Sequence, residues 1–351
     1  MTPGLRRRTG FEIELMAPAG VSRRTLATDL AGRCGGSVRP VWHSDSEPSL
    51  VPGLGRFLHL TPGFEVRRPD GDLLCTLVDD ITLVAGLNPA APPQAGWFRV
   101  LTDDSRLLRL LARHSDPAGT IDQALAPAAE LWGRKVQQLG DYYRLDDAAD
   151  ATIALAAPLG GERERPCEIV TPPLTGGFET ALEELLGPAR ELGFTVPYEA
   201  AVHLHVDGAP FRMPHALSNL VRLFTYWREP LRAVLRTNPA CRRLAPLPEP
   251  LVRAVEGVPT TAQLRAAAAE GELTKFFDVN LTQLLTDTPL RNTVEIRILP
   301  GAISARPILD QAAVLELLLD RCLDPEPIPR GDSVDGLLEL AAEALAGRPG
   351  D

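Results

Sequence analysis

Apolar and polar positions alternate most regularly in three short stretches that lie far apart. These are residues 10–15 (Gly-Phe-Glu-Ile-Glu-Leu), 201–206 (Ala-Val-His-Leu-His-Val) and 293–298 (Thr-Val-Glu-Ile-Arg-Ile). Side chains on a β-strand point alternately to its two faces, so each stretch reads as a strand with one polar and one apolar face. Glu12 then shares a face with Glu14, His203 with His205, and Glu295 with Arg297, while the interleaved Phe, Ile, Val and Leu residues turn toward a core. Carboxylates, imidazoles and a guanidinium on one side of a packed sheet are costly for stability alone, which points to a metal and phosphate site.

Turn and cap signals divide the rest of the chain. Ser22 predicts the cap of a helix that runs to about Cys34, where Gly35 and Gly36 stop it. Strands are predicted over 38–43, 57–60, 64–68 and, after the turn at 69–72, over 73–78, a meander of short antiparallel strands. A Pro- and Gly-rich loop covers 88–96, and helices are predicted over 103–115 and 120–139. Strands at 151–156 and 166–171 flank a charged turn and read as a hairpin. Beyond a helix over 178–192 and the His-x-His strand, a long helix is predicted from Pro214 through Leu231. An Ala-rich helix near 261–270, the Glu-x-Arg strand and helices over 305–322 and 333–346 complete the chain. Strands and helices mix without a regular βαβ alternation, which predicts an α+β fold with an antiparallel sheet.

The 351 residues supply ample apolar content for a core. A formal charge of −10 and a pI near 5.2 leave no basic stripe for phosphate backbones, so no nucleic-acid partner is expected. The five cysteines are scattered without a Cys-x-x-Cys pair, which predicts reduced thiols rather than a zinc cluster or disulfide framework. No run reaches the about 20 apolar residues of a membrane span, and no apolar segment follows Arg6-Arg7-Arg8. The expectation is a soluble cytoplasmic protein with no membrane partner.

A carboxylate pair joined by imidazole and further carboxylate suits Mg²⁺ or Mn²⁺, hard ions that take oxygen-rich ligation completed by substrate phosphates. Neither Gly-x-x-x-x-Gly-Lys nor Gly-x-Gly-x-x-Gly occurs, so a nucleotide would have to bind on this sheet.

The order of these segments, together with residues 168–174 (Glu-Ile-Val-Thr-Pro-Pro-Leu), 275–281 and 292–301, resembles the bacterial amidoligase family, which is similar to glutamine synthetase and glutamate-cysteine ligase. The resemblance spans most of residues 10–322. It implies a curved antiparallel sheet backed by helices and an ATP-dependent carboxylate-amine ligase acting through an acyl phosphate on an amino acid or small peptide. The implied metal ligands are Glu12, Glu14, Glu168, His203 and Glu295. His205 is implied near the nucleotide, and Arg297 on the γ-phosphate or acyl phosphate. Lys275 and Asn280 match the segment before the last motif and are expected to contact carboxylate or phosphate. An Asp expected after the first helix is matched by Asp45, with Asp146 or Asp147 as the other candidate. The catalytic domain is expected over 10–323, with an insertion at about 46–150 and a tail over 324–351. The rival readings are a phosphotransferase on the same sheet and a non-catalytic relative that binds a peptide or partner protein. A precursor peptide is a further candidate partner.

Overall fold

The computed structural model describes residues 5–44, 49–51 and 55–346. In chain order the strands are β1 (Thr9–Met16), β2 (Ser37–His43), β3 (Ser49–Val51), β4 (Gly55–Arg67), β5 (Leu73–Val78), β6 (Phe98–Thr102), β7 (Gln137–Leu139), β8 (Tyr142–Asp146), β9 (Thr152–Pro158), β10 (Pro166–Val170), β11 (Ala201–Asp207), β12 (Val279–Asn280) and β13 (Thr293–Pro300). The α+β class expected from the sequence forms: helices and strands mix, and each pairing between these strands described below is antiparallel. The chain divides into two compact units. One holds Met1–Ile13, Thr171–Gly187 and Tyr198–Asp351; the other holds Glu14–Val170 and Pro188–Pro197.

In the first unit the strand order is β12-β13-β11-β1. The apolar positions of the alternating strands are buried as the pattern requires: Phe11, Val202, Leu204, Val206, Val294, Ile296 and Ile298 are each at most 3% exposed. Helices Pro214–Tyr226, Ala305–Leu323 and Val334–Ala346 pack in sequence against one another, burying Leu217, Leu220, Phe224, Ile308, Leu315 and Leu337. The helix expected from Pro214 through Leu231 is two helices, because Trp227 leaves the helical conformation and Pro230 restarts the chain in Arg228–Val234. Gly331 lies flat on the Trp227 ring, where an added Cβ would fall 1.9 Å from a ring carbon.

In the second unit the order is β10-β5-β4-β6-β9-β8-β7, with β2 and β3 also on β4. The two strands expected over 57–60 and 64–68 are one, β4. Residues 61–63 pair only with β2, between the pairings of 58–60 with β6 and 64–67 with β5. One edge of β4 is therefore open at Pro62, where a missing N–H breaks no ladder. The helix expected over 120–139 ends at Leu131. Gly133 and Gly140 take left-handed conformations, the second between the strands of the β7–β8 hairpin. The hairpin expected over 151–171 does not form, because β9 pairs with β6 and β8 while β10 pairs with β5.

Arg23, at the start of helix Arg23–Cys34, is fully buried in this unit. It donates to the carbonyls of Pro62, Arg163 and Pro166 and stacks 4.5 Å from the Trp97 ring centre. Asp79 is buried beside Arg163. No helix among the described residues is long and apolar enough to cross a membrane.

Candidate active site

β11 runs between β1 and β13 and carries both histidines on one face. Glu12 of β1 stands directly opposite His203, and Glu295 of β13 directly opposite His205. Asn280 of β12 in turn faces Glu295. Directly opposed residues in an antiparallel pair point to the same side of the sheet, so four strands deliver Glu12, His203, His205, Glu295 and Asn280 to one face.

Glu12 is shared by both imidazoles. His203 Nδ1 lies 3.2 Å from Glu12 Oε2, and His205 Nε2 lies 2.9 Å from Glu12 Oε1. The His205 contact is a contact of charges: the nitrogen is out of hydrogen-bond alignment with the carboxylate. Glu295 Oε1 accepts from Arg297 Nη1 and stands 3.8 Å from His203 Nδ1, while its Oε2 accepts from Asn280 Nδ2 at 2.7 Å. One ligand atom each from Glu12, His205 and Glu295 falls within 4.8 Å of the other two.

The electrostatics follow from this packing. Burial pushes the Glu12 carboxyl up, but the charge of His205 and the hydrogen bond with His203 outweigh it and hold Glu12 well below the usual carboxylate range. Burial pushes His205 down, and Glu12, then Glu295, more than reverse it, so the imidazole sits above its ordinary value. Glu295 is likewise pushed up by burial and brought below its ordinary value by Arg297 and His203. Two carboxylates and two imidazoles thus share a mostly buried stretch of one sheet face.

The other residues singled out from the sequence belong to both units. Glu14 continues β1 two positions after Glu12, in the second unit, and is 4% exposed. Glu168 lies on β10 of that unit, opposite Val78 and half-buried. The Lys275 ammonium lies 5.5 Å from the centre of the Phe276 ring. Asp45 lies outside the described residues. Asp146 and Asp147, in the second unit, line a cavity of about 440 Å³ together with Asp103, Leu107 and Trp132. Asp146 accepts from the Thr152 hydroxyl, and Asp147 accepts backbone N–H groups of its own turn.

Two supports of the site were not read from the sequence. Thr171 closes the edge of β1 at Phe11, accepting the Phe11 N–H on its hydroxyl and donating its own N–H to the Phe11 carbonyl, each at 2.9 Å. Asp278 is 1% exposed and is gripped by Arg228 Nε at 2.6 Å and Arg232 Nη1 at 2.9 Å. Its signal was present: an Asp inside the apolar run Phe276-Phe277-Asp278-Val279 has to find cationic partners if the run is buried.

An α+β protein with antiparallel pairing, whose sheet gathers carboxylates, imidazoles and a guanidinium on one face, is the class that this geometry defines. Residues 5–317 match the family described as "Putative amidoligase enzyme", and the chain belongs to that family. That description is of a ligase. None of the curated proteins matches the chain.

Proposed function

We propose that the protein is an ATP-dependent ligase that joins a carboxylate to an amine, with an amino acid or small peptide as the acid. The observation that carries this reading is the convergence of Glu12, His205 and Glu295 beside Arg297 in a member of an amidoligase family. The donor set fits Mg²⁺ or Mn²⁺: two carboxylates and an imidazole whose buried nitrogen is in contact with charge but out of hydrogen-bond alignment. A divalent ion bound there supplies positive charge to phosphate oxygens.

A carboxylate is a poor electrophile and must be activated before an amine will attack it. Its oxygen attacks the γ-phosphorus of ATP, the bond to the bridging oxygen breaks, and ADP leaves. The amine nitrogen then attacks the acyl carbon, the bond to phosphate breaks, and the amine sheds a proton as phosphate departs. Negative charge grows on the transferring phosphoryl oxygens, and a fixed guanidinium close by lowers the barrier. Arg297 fills that role, its orientation set by Glu295. Glu12, His205 and Glu295 would hold the cation, and Asn280 fixes the second oxygen of Glu295.

Measurement of Mg²⁺-dependent nucleotide affinity and turnover in Glu12→Ala, Glu295→Ala and Arg297→Ala, each shown to be folded, tests the site. Loss of affinity with the two carboxylate variants and of turnover with all three is the expected result. Wild-type behaviour in all three contradicts it.

A further inference from the structure

We propose that Thr237 and Asp278 are positioning residues for the candidate site: from outside the β11–β13 ladder they hold the backbone bulge that aligns His203 and Arg297 with Glu12 and Glu295. The proposal draws on the ligase reading for what the aligned groups accomplish, and on the geometry alone for how they are aligned.

Val202 pairs with Leu299 and Leu204 with Ile296, so β11 spends one residue, His203, where β13 spends two, Arg297 and Ile298. A bulge of this kind leaves backbone groups outside the ladder and re-aims the side chains next to it. Its effect on this sheet follows from counting. The register at Val202 and Leu299, continued without a bulge, would pair His203 with Ile298, Leu204 with Arg297 and His205 with Ile296. Both histidines would then share a face with isoleucines, and Glu295 and Arg297 would point to the other side. With the extra residue, His205 pairs with Glu295, and the charged residues meet the imidazoles.

The bulge is held by groups outside β11. Arg297 N–H donates to the Asp278 carbonyl at 3.1 Å, and the Ile298 carbonyl accepts from the Thr237 hydroxyl at 2.7 Å. Asp278 is fixed at three further points: its N–H donates to Ala245 at 3.0 Å, and its carboxylate accepts from Arg228 and Arg232. Thr237 closes the turn after helix Arg228–Val234, its N–H donating to the Arg232 carbonyl at 2.9 Å. Both arginines and the threonine therefore belong to one helix and the turn that follows it. That helix grips β13 directly through Thr237 and indirectly through Asp278, on either side of the peptide that joins Arg297 to Ile298.

The test compares Thr237→Val, which keeps the shape and deletes the hydroxyl, with Thr237→Ser, which keeps the hydroxyl. Thr237→Val is expected to shift the His203 ring resonances in protein labelled with ¹⁵N-histidine. It is also expected to lower kcat about tenfold while KM for ATP changes less than about twofold, a misplacement effect rather than lost ground-state binding. Thr237→Ser restores both. If Thr237→Val does not fold, Arg232→Gln, which loosens Asp278, is read in the same two ways with the same expectation. Unmoved resonances with wild-type kcat, or equal impairment in the Val and Ser variants, overturns the proposal. Should the wild-type enzyme show no ATP-dependent turnover, the ligase reading fails by itself, and the resonance shifts still decide the positioning role.

Discussion

Asn280 donates its carboxamide to Glu295 Oε2 over 2.7 Å, across a directly opposed residue pair of β12 and β13. Its carboxamide oxygen accepts both the N–H and the hydroxyl of Thr282, which fixes which end of the amide faces the carboxylate. Glu295 is thereby held from two sides, Asn280 on one oxygen and Arg297 on the other. A carboxylate bound this way has little freedom to turn, which suits the ligand role proposed for Glu295.

Asn280→Ala removes a buried hydrogen bond to a charged acceptor and is expected to cost about 1.5–3 kcal/mol of stability. Asn280→Asp is expected to cost more, because a second carboxylate against Glu295 Oε2 repels it. Urea denaturation of the three proteins checks the order, wild type above Ala above Asp.

Glu12→Gln deprives two imidazoles of their shared counter-charge and removes a carboxylate of the proposed cation site. Affinity for Mn²⁺, read by paramagnetic titration, is expected to fall at least about tenfold while the far-ultraviolet spectrum is unchanged.

Arg23→Met leaves the carbonyls of Pro62, Arg163 and Pro166 without their donor inside the second unit. Breaking a buried charged network of this kind is expected to cost about 3–5 kcal/mol. Arg23→Lys should recover only part, since an ammonium cannot reproduce the planar fork or the stacking on Trp97. Chemical denaturation midpoints measure both.

Glu65 carries the acid sensitivity of the β2–β4 pair. Burial pushes its carboxyl up, and the hydrogen bonds from Arg39 and Arg67 outweigh it and hold the group below the ordinary carboxylate value. A depressed carboxylate contributes stability above its unfolded pKa of about 4.3 and loses it as pH falls through the lower folded value. The melting temperature of Glu65→Gln is therefore expected to fall less steeply than that of the wild type between pH 5 and the acid limit, and to lie below it at neutral pH.

The parts of the fold that were legible in the sequence are those set by short-range rules. The period of two in β1, β11 and β13 put Glu12, the two histidines and Glu295 on polar faces, and Ser22 and Gly35 bound the first helix where cap chemistry requires. What escaped depends on partners distant in sequence. Pro62 and Gly63 read as a break because nothing local shows that one edge of β4 is open there. Gln137–Leu139 read as helix because its strand character comes from pairing with β8. Arg23 carries no local sign of its burial beyond lying on the same helical face as the buried Leu26 and Leu30. The bulge opposite His203 has no composition signal in Glu-Ile-Arg-Ile; it exists because Asp278 and Thr237, from other segments, take up backbone groups of β13.

The most direct test incubates the protein with ATP, Mg²⁺ and pooled amino acids and follows nucleotide and product mass together. ADP and one condensed amide are expected in equal amounts, with turnover reduced at least about a hundredfold in folded Arg297→Ala. Release of AMP, ADP without any condensed product, or undiminished turnover in Arg297→Ala would contradict the ligase reading.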